Sequence, residues 1–202
     1  MDLIELKNKA LEDQIPIMQE EGLAFMVELL QECQASSVLE IGSAVGYSAI
    51  YMASHVQSVK IDTIERDDFR AKQAKQNIEA FQLDKRIELH LADALELEET
   101  VLKYAPYDCI FIDAAKAQYQ KFFEKYIHLL KADGFVIVDN LDFHGMVFDI
   151  EHIQNRNTRA LVRKIKRFKD WILNNGDYES EYVHKGDGIV VIRKRGNNGT
   201  FM

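Results

Sequence analysis

Polar residues that close apolar runs are the first chemical signal in this chain. The run 59–64 ends at Glu65, 86–91 leads to Asp93, 107–112 ends at Asp113, and 134–138 ends at Asp139 and Asn140. Ahead of them, Val38-Leu39-Glu40-Ile41-Gly42-Ser43-Ala44-Val45-Gly46-Tyr47-Ser48 passes from an apolar run through an acid and two glycines into a helical pattern. Such a turn lets backbone approach a ligand, because glycine lacks a Cβ and tolerates positive φ. The helix behind it offers unpaired N–H groups. Together these features suit a nucleotide-like cofactor. An Asp at one strand end is a common cap or turn residue; polar groups at successive strand ends are what a ligand site requires.

The elements that must carry these residues follow from periodicity. Helices are expected over 3–12 and 17–33, separated near Pro16, with Leu23, Met26, Val27 and Leu30 at helical spacing. Strand and helix then alternate: strands at 37–41, 59–64, 86–91, 107–112 and 134–138, helices at 47–55, 67–81, 95–104 and 119–130. A loop is expected over 141–150 and a long helix over 158–173. Strands at 178–184 and 189–193 turn at Gly186-Asp187-Gly188 as an antiparallel hairpin. Alternation of this kind predicts an α/β fold: one doubly wound, Rossmann-like domain over 1–202 with a mostly parallel seven-stranded sheet and an antiparallel C-terminal hairpin. Ligands of such sheets bind outside the carboxyl ends of the strands, where the polar residues lie.

With 202 residues, 47% of them hydrophobic, and only two prolines and ten glycines, the chain is long and apolar enough for one packed core. No run reaches the length of a membrane span. The acidic start Met1-Asp2-Leu3-Ile4-Glu5 has no signal-peptide pattern, so a cytoplasmic protein is expected. Cys33 and Cys109 read as ordinary thiols, and no Cys/His spacing suggests zinc. A net charge of −8 argues against non-specific nucleic-acid binding. Yet Arg156, Arg159, Arg163, Lys164, Lys166, Arg167 and Lys169 crowd into one acid-free stretch. That helix presents either a solvated face or a side turned toward a polyanion.

The loop Gly42-Ser43-Ala44-Val45-Gly46 lacks the close glycine pair of the dinucleotide fingerprint, which disfavours a nucleotide-dependent dehydrogenase. Glu65 stands where an acid accepts ribose hydroxyls. A ribose without a pyrophosphate points to S-adenosylmethionine (SAM). Joined by Asp113-Ala114-Ala115-Lys116 and Val138-Asp139-Asn140, the glycine-loop segment resembles the divalent-metal-dependent class I O-methyltransferases, the group of the catechol and caffeoyl-CoA enzymes. The resemblance runs from about Ile15 to the last strands. Within the group, Arg156-Asn157-Thr158-Arg159-Ala160-Leu161-Val162-Arg163-Lys164-Ile165 looks most like the bacterial tRNA 5-hydroxyuridine methyltransferases, which form 5-methoxyuridine at the wobble position.

The resemblance implies roles residue by residue. Ser48, Glu65, Asp93, Ala94 and Asp113 match SAM contacts; Glu40 and Gly42 line the same pocket, and Met18 closes over the methionine end. Asp113, Asp139 and Asn140 match metal ligands, and Lys116 the general base beside Asp113. Residues 1–35 cap the site, and a homodimer is expected. Two carboxylates and an amide oxygen are hard donors that suit Mg²⁺ and leave positions for a substrate with two adjacent oxygens. A catechol has that arrangement, and so do the 5-hydroxyl and O4 of 5-hydroxyuridine. A metal there lowers the hydroxyl pKa. Lys116 follows Asp113 by three residues, so both can face one pocket; as a base it needs its pKa depressed by burial or by the metal's charge. The bland alternative is a lysine that opens a helix.

Three functions follow. The first is SAM- and Mg²⁺-dependent methylation of tRNA 5-hydroxyuridine, with Arg156, Arg159, Arg163, Lys164, Lys166 and Arg167 approaching RNA phosphates. The second is the same chemistry on a small catechol-like molecule. The third is a non-catalytic SAM- or RNA-binding module. His144 falls in the loop after Asp139-Asn140, where the group often carries another residue. His90, His128 and Trp171 read as packing or hydrogen-bonding residues.

Overall fold

The computed structural model describes residues 1–196; residues 197–202 of the expected 1–202 domain lie outside them. Helices α1 (Leu3–Glu12) and α2 (Glu20–Glu32) lead into β1 (Ser37–Ile41), α3 (Tyr47–His55), β2 (Lys60–Glu65), α4 (Asp68–Ala80), β3 (Ile87–Leu91) and β4 (Tyr107–Ile112). Then come α5 (Tyr119–Tyr126), β5 (Leu130–Val138), α6 (Arg156–Leu173), β6 (Tyr178–Val183) and β7 (Ile189–Lys194). The seven strands form one sheet in the order β3-β2-β1-β4-β5-β7-β6. The first five pair in parallel, while β7 runs antiparallel between β5 and β6. The doubly wound sheet with its closing antiparallel hairpin is the one the pattern predicts.

Strand alternation divides the core in two. Val38, Ile61, Cys109, Phe111, Ile137 and Val191 face α1, α2 and α3. Leu39, Ile41, Ile110, Ile112, Val136, Val138 and Ile192 face α5 and α6. Both faces of the parallel strands are therefore buried, and this is why they read as near-continuous apolar runs. Three of the helices start where a side chain accepts orphan N–H groups: Asp2 forms a capping box with Glu5 at α1, Asp67 accepts from Arg70 N–H at α4, and Asn155 accepts from Asn157 and Thr158 N–H at α6. Trp171 packs edge-on to Phe123, with ring centres 5.7 Å apart.

Several expectations fail locally; the helix expected over 119–130 ends at Tyr126, and the strand expected over 134–138 already begins at Leu130. The second helix starts at Glu20, not at 17; residues 17–19 lie outside it and form part of a cavity wall. The helix expected over 95–104 is absent except for one 3₁₀ turn at Glu99–Val101. Side chains from elsewhere take the hydrogen bonds a helix would make. The Lys125 ammonium binds the carbonyls of Leu95 and Leu97, and the Asp62 carboxylate accepts the N–H groups of Lys103 and Tyr104. The loop expected at 141–150 holds a short 3₁₀ turn at Met146–Phe148.

Asp62 is fully buried, and the Tyr107 hydroxyl (2.7 Å) and the His90 ring (2.8 Å) complete its shell. Asp62→Ala would leave two backbone N–H groups and a phenol unpaired in the interior. Equilibrium urea unfolding should show a loss of roughly 3–5 kcal/mol; a loss below about 1 kcal/mol would contradict this reading of the 95–104 connection.

Candidate active site

Strand order reverses between β1 and β4, which opens a crevice outside their carboxyl ends. Gly42 makes the crevice possible. Its φ is +103°, and a Cβ there would lie 2.2 Å from the Asp113 carbonyl oxygen. Any side chain would push the loop off β4. The Asp113 N–H bonds the Ile41 carbonyl at 3.0 Å, so the glycine loop and the end of β4 are fastened together.

The crevice is a cavity of about 720 Å³. Met18, Gly42, Ser48, Glu65, Asp93, Ala94, Asp113, Lys116 and Asn140, expected from sequence to share one site, all lie on its wall. One side is apolar, formed by Leu11 of α1 and by Ile15, Pro16 and Ile17 from the α1–α2 connection. At the end of β2, the Glu65 carboxylate accepts Ala44 N–H (2.8 Å) on one oxygen and Asp67 N–H (2.9 Å) on the other. It ties the glycine loop to the cap of α4 and still presents lone pairs to the cavity. Asp93 accepts Leu95 N–H at 2.9 Å in the same way on β3's side.

Glu40 corrects an expectation. It does not line the cavity; alternation along β1 turns it under α3, where it is fully buried and accepts the hydroxyls of Ser48 and Thr63. Burial pushes its carboxyl up to about 7 against those two hydrogen bonds. Its contact with the cavity runs through Ser48, whose hydroxyl it orients.

The opposite end of the cavity concentrates charge. Asp113 follows β4 on the cavity wall; Asp139 follows β5, is 1% exposed and lies behind that wall without lining it. Burial raises both carboxyls above the ordinary range; repulsion from Asp113 adds to it at Asp139 and repulsion from Asp187 at both, with Lys116 partly opposing the rise. Asn140 follows in a left-handed turn (φ 61°). The Lys116 ammonium contacts the Asn140 amide oxygen and lies 3.8 Å from Asp113. Asp139 Oδ2 accepts from the Asn140 amide, while its buried Oδ1 has no partner.

Among the described residues no group of three His, Cys, Asp or Glu makes a metal site by itself; here the third donor is an amide. An orphaned carboxylate oxygen, a second, half-buried acid and an amide oxygen already in contact with a cation fit a hard divalent ion. Asp113, Asp139 and Asn140 are the residues that would hold it.

Sequence reasoning missed Asp187. It was read as a hairpin-turn residue, yet it lines the cavity at 8% exposure and accepts His144 N–H at 2.6 Å. No local pattern signals this, because it depends on β7 running beside β5. His144 lines the mouth with its ring largely exposed. None of Arg156, Arg159, Arg163, Lys164, Lys166 and Arg167 touches the cavity. Leu161, which does, sits across α6 from Arg156, Arg159 and Arg163 at roughly 100° per residue. Lys169 leaves the basic group altogether: it pairs with Asp142 at 3.1 Å and lies over the Tyr182 ring.

Comparison with known proteins agrees with this geometry. A family model described as O-methyltransferase matches residues 1–195. A catechol O-methyltransferase of Niastella koreensis is 30% identical over 147 residues, 71% of this chain and 64% of that protein. A Staphylococcus aureus structure, provisionally described as a caffeoyl-CoA O-methyltransferase, superposes with a TM-score of 0.91 at 35% identity, covering 96% of this chain and 92% of that one. An SAH-bound O-methyltransferase from Bacillus cereus superposes at 0.79 with 27% identity, covering 95% and 90%. Among the described residues no helix is long and apolar enough to cross a membrane.

Raised carboxyls have a thermodynamic signature. A group that keeps its proton when folded, where the unfolded chain has lost it, contributes stability below its unfolded pKa and loses it as pH rises through the folded value. Glu40, Asp113 and Asp139 all act in this direction. In chelator, Tm should fall by several degrees as pH rises from about 5 past about 7, and Asp139→Asn should flatten the slope. A wild-type Tm that is constant or rising over that window would contradict the assignment.

Proposed function

The chain belongs to the SAM-dependent O-methyltransferases of the catechol and caffeoyl-CoA family, and from that premise we propose that it methylates one of two neighbouring oxygens on a small, catechol-like ring, assisted by a divalent cation. The observation that carries this reading is the unpartnered, buried Oδ1 of Asp139, directly behind Asp113 and Asn140, which line the far end of a cavity whose near end is the Gly42 loop and Glu65.

Glu65 accepts the ribose hydroxyls of SAM while its two backbone hydrogen bonds hold the glycine loop still. Met18 and the apolar connection 15–17 exclude water from the methionine end. Asp113, Asp139 and Asn140 would hold a divalent cation, which would supply Lewis acidity that favours the ionised hydroxyl. In its neutral amine form Lys116, next to Asn140 and Asp113, is placed to take the hydroxyl proton and become the ammonium. Phe143 and Leu161 give the ring an apolar flank. Much of the rate then comes from aligning an oxygen with the methyl group.

A second reading, transfer to 5-hydroxyuridine in tRNA, draws support from the outer face of α6. Arg156, Arg163 and Lys164 are exposed there and make no ion pair among the described residues. A polyanion on that face would be held away from the reacting ring, so only a large substrate would use it. Its signature is a steep salt dependence of binding.

Transfer of labelled methyl from SAM to a catechol panel and to hydroxylated tRNA separates the two. The first reading predicts product with catechols, lost after chelation and in Asp139→Asn, with SAM affinity retained within about twofold. Transfer to tRNA alone would give the site to the second reading, and undiminished activity in chelator would overturn the metal in both. Glu65→Gln should weaken SAM binding about tenfold by isothermal titration, since one acceptor becomes a donor; an unchanged dissociation constant would reject its ribose role.

A further inference from the structure

Asp187 is buried, and among the described residues no lysine or arginine pairs with it. It belongs to the turn between β6 and β7, flanked by Gly186 and Gly188 in positive-φ conformations. Its backbone carbonyl accepts Asp142 N–H and its Oδ1 accepts His144 N–H. The nearby ammonium groups are committed elsewhere: Lys185 to Glu21, Lys169 to Asp142, and Lys116 to Asn140 and Asp113. The nearest ionisable partner is the His144 ring at 3.8 Å, itself largely exposed. Across the cavity end, Asp187 acts electrostatically on Asp113 and Asp139 in the unfavourable direction. A turn that needed only an acceptor for His144 N–H would be served by Asn at far lower cost, since burying an unpaired charge is expensive.

The charge count gives the reason. Asp113, Asp139 and Asp187 against the single ammonium of Lys116 leave a formal charge of −2, which one divalent ion neutralises. One observation besides the charge count points to a ligand: Oδ1 of Asp139, in a side chain 1% exposed, has no hydrogen-bond partner among the described residues. The loop that follows Asn140 is pinned on its other side by Asp142, whose carboxyl takes Lys169 and the Tyr182 hydroxyl. Gly188 leaves room for that carboxyl; a Cβ there would stand 2.6 Å from it.

We propose that Asp187 is a positioning residue of the cation site: its carboxylate supplies the third negative charge that a divalent ion there requires, and its bond to His144 N–H holds the turn that presents Asn140. The proposal rests on the metal-assisted reading of the site. Asp187 acts through the field and through the loop, without ligating the ion.

Mn²⁺ alone is the probe, titrated by electron paramagnetic resonance against the full chain without SAM or substrate. Asp187→Asn keeps an oxygen for His144 N–H and removes the charge. It should weaken Mn²⁺ binding about tenfold or more. Asp187→Glu keeps the charge and should stay within about threefold of wild type, and Asp187→Ser, a second neutral variant, should track Asp187→Asn. Lys185→Ala, in the same turn but facing Glu21, should leave Mn²⁺ binding unchanged. Equal Mn²⁺ affinity in wild type and the neutral variants overturns the proposal and leaves the metal reading intact. Absence of Mn²⁺ binding in wild type overturns both. A purely structural turn residue would lower Tm in every variant while leaving Mn²⁺ affinity per folded molecule unmoved.

Discussion

Asp113 and Asp139 are held side by side by backbone, and most of the active-site architecture answers that constraint. β4 and β5 pair in parallel with Ile112 opposite Val138, and Asp139 N–H bonds the Ile112 carbonyl at 3.3 Å. The residues that follow each strand therefore emerge together at the sheet's edge. Apolar side chains on both faces prevent the strands from sliding apart: Ile110, Ile112, Val136 and Val138 on one side, Phe111 and Ile137 on the other. The Tyr119 hydroxyl fixes the Asp139 carbonyl at 2.8 Å. Two acids so placed repel, and burial sharpens the repulsion. The Lys116 ammonium relieves part of it, and a divalent ion would relieve the rest.

The two halves of the sheet divide the work. β1, β2 and β3 end in Gly42, Glu65 and Asp93, groups suited to the nucleoside of a methyl donor. β4 and β5 end in the acids that would organise the acceptor. Gly42 joins the halves, because its lack of a Cβ lets the donor loop rest on the Asp113 carbonyl. The hairpin turn joins them again from the far side. Its Lys185 and Gly186 meet Glu21 of α2, and its Asp187 meets His144. The wall of the donor end and the loop of the acceptor end thus share one support.

Much of this was legible in sequence because it is local. Apolar runs gave the strands, the polar residues that close them gave the site, and the glycine spacing separated SAM from a dinucleotide. What was not legible depends on partners distant in sequence. The pattern at 95–104 is helical, but Asp62 and Lys125 claim its backbone groups. Glu40 looks like a pocket acid until alternation turns it under α3. Lys169 reads as one more base on a basic helix, yet Asp142 and Tyr182 hold it. Asp187 looks like any residue in a Gly-Asp-Gly turn until β7 is placed beside β5. In each case a long-range contact overrode a local signal.

The central claim is that the ends of β4 and β5 form a divalent-cation site beside a bound methyl donor. Anomalous diffraction from crystals grown with SAH and Mn²⁺ tests it most directly. The expected result is one strong manganese peak among Asp113, Asp139 and Asn140, with Lys116 moved off the Asn140 amide and SAH lying along Gly42 and Glu65. SAH in place with no manganese peak at those three residues would contradict it.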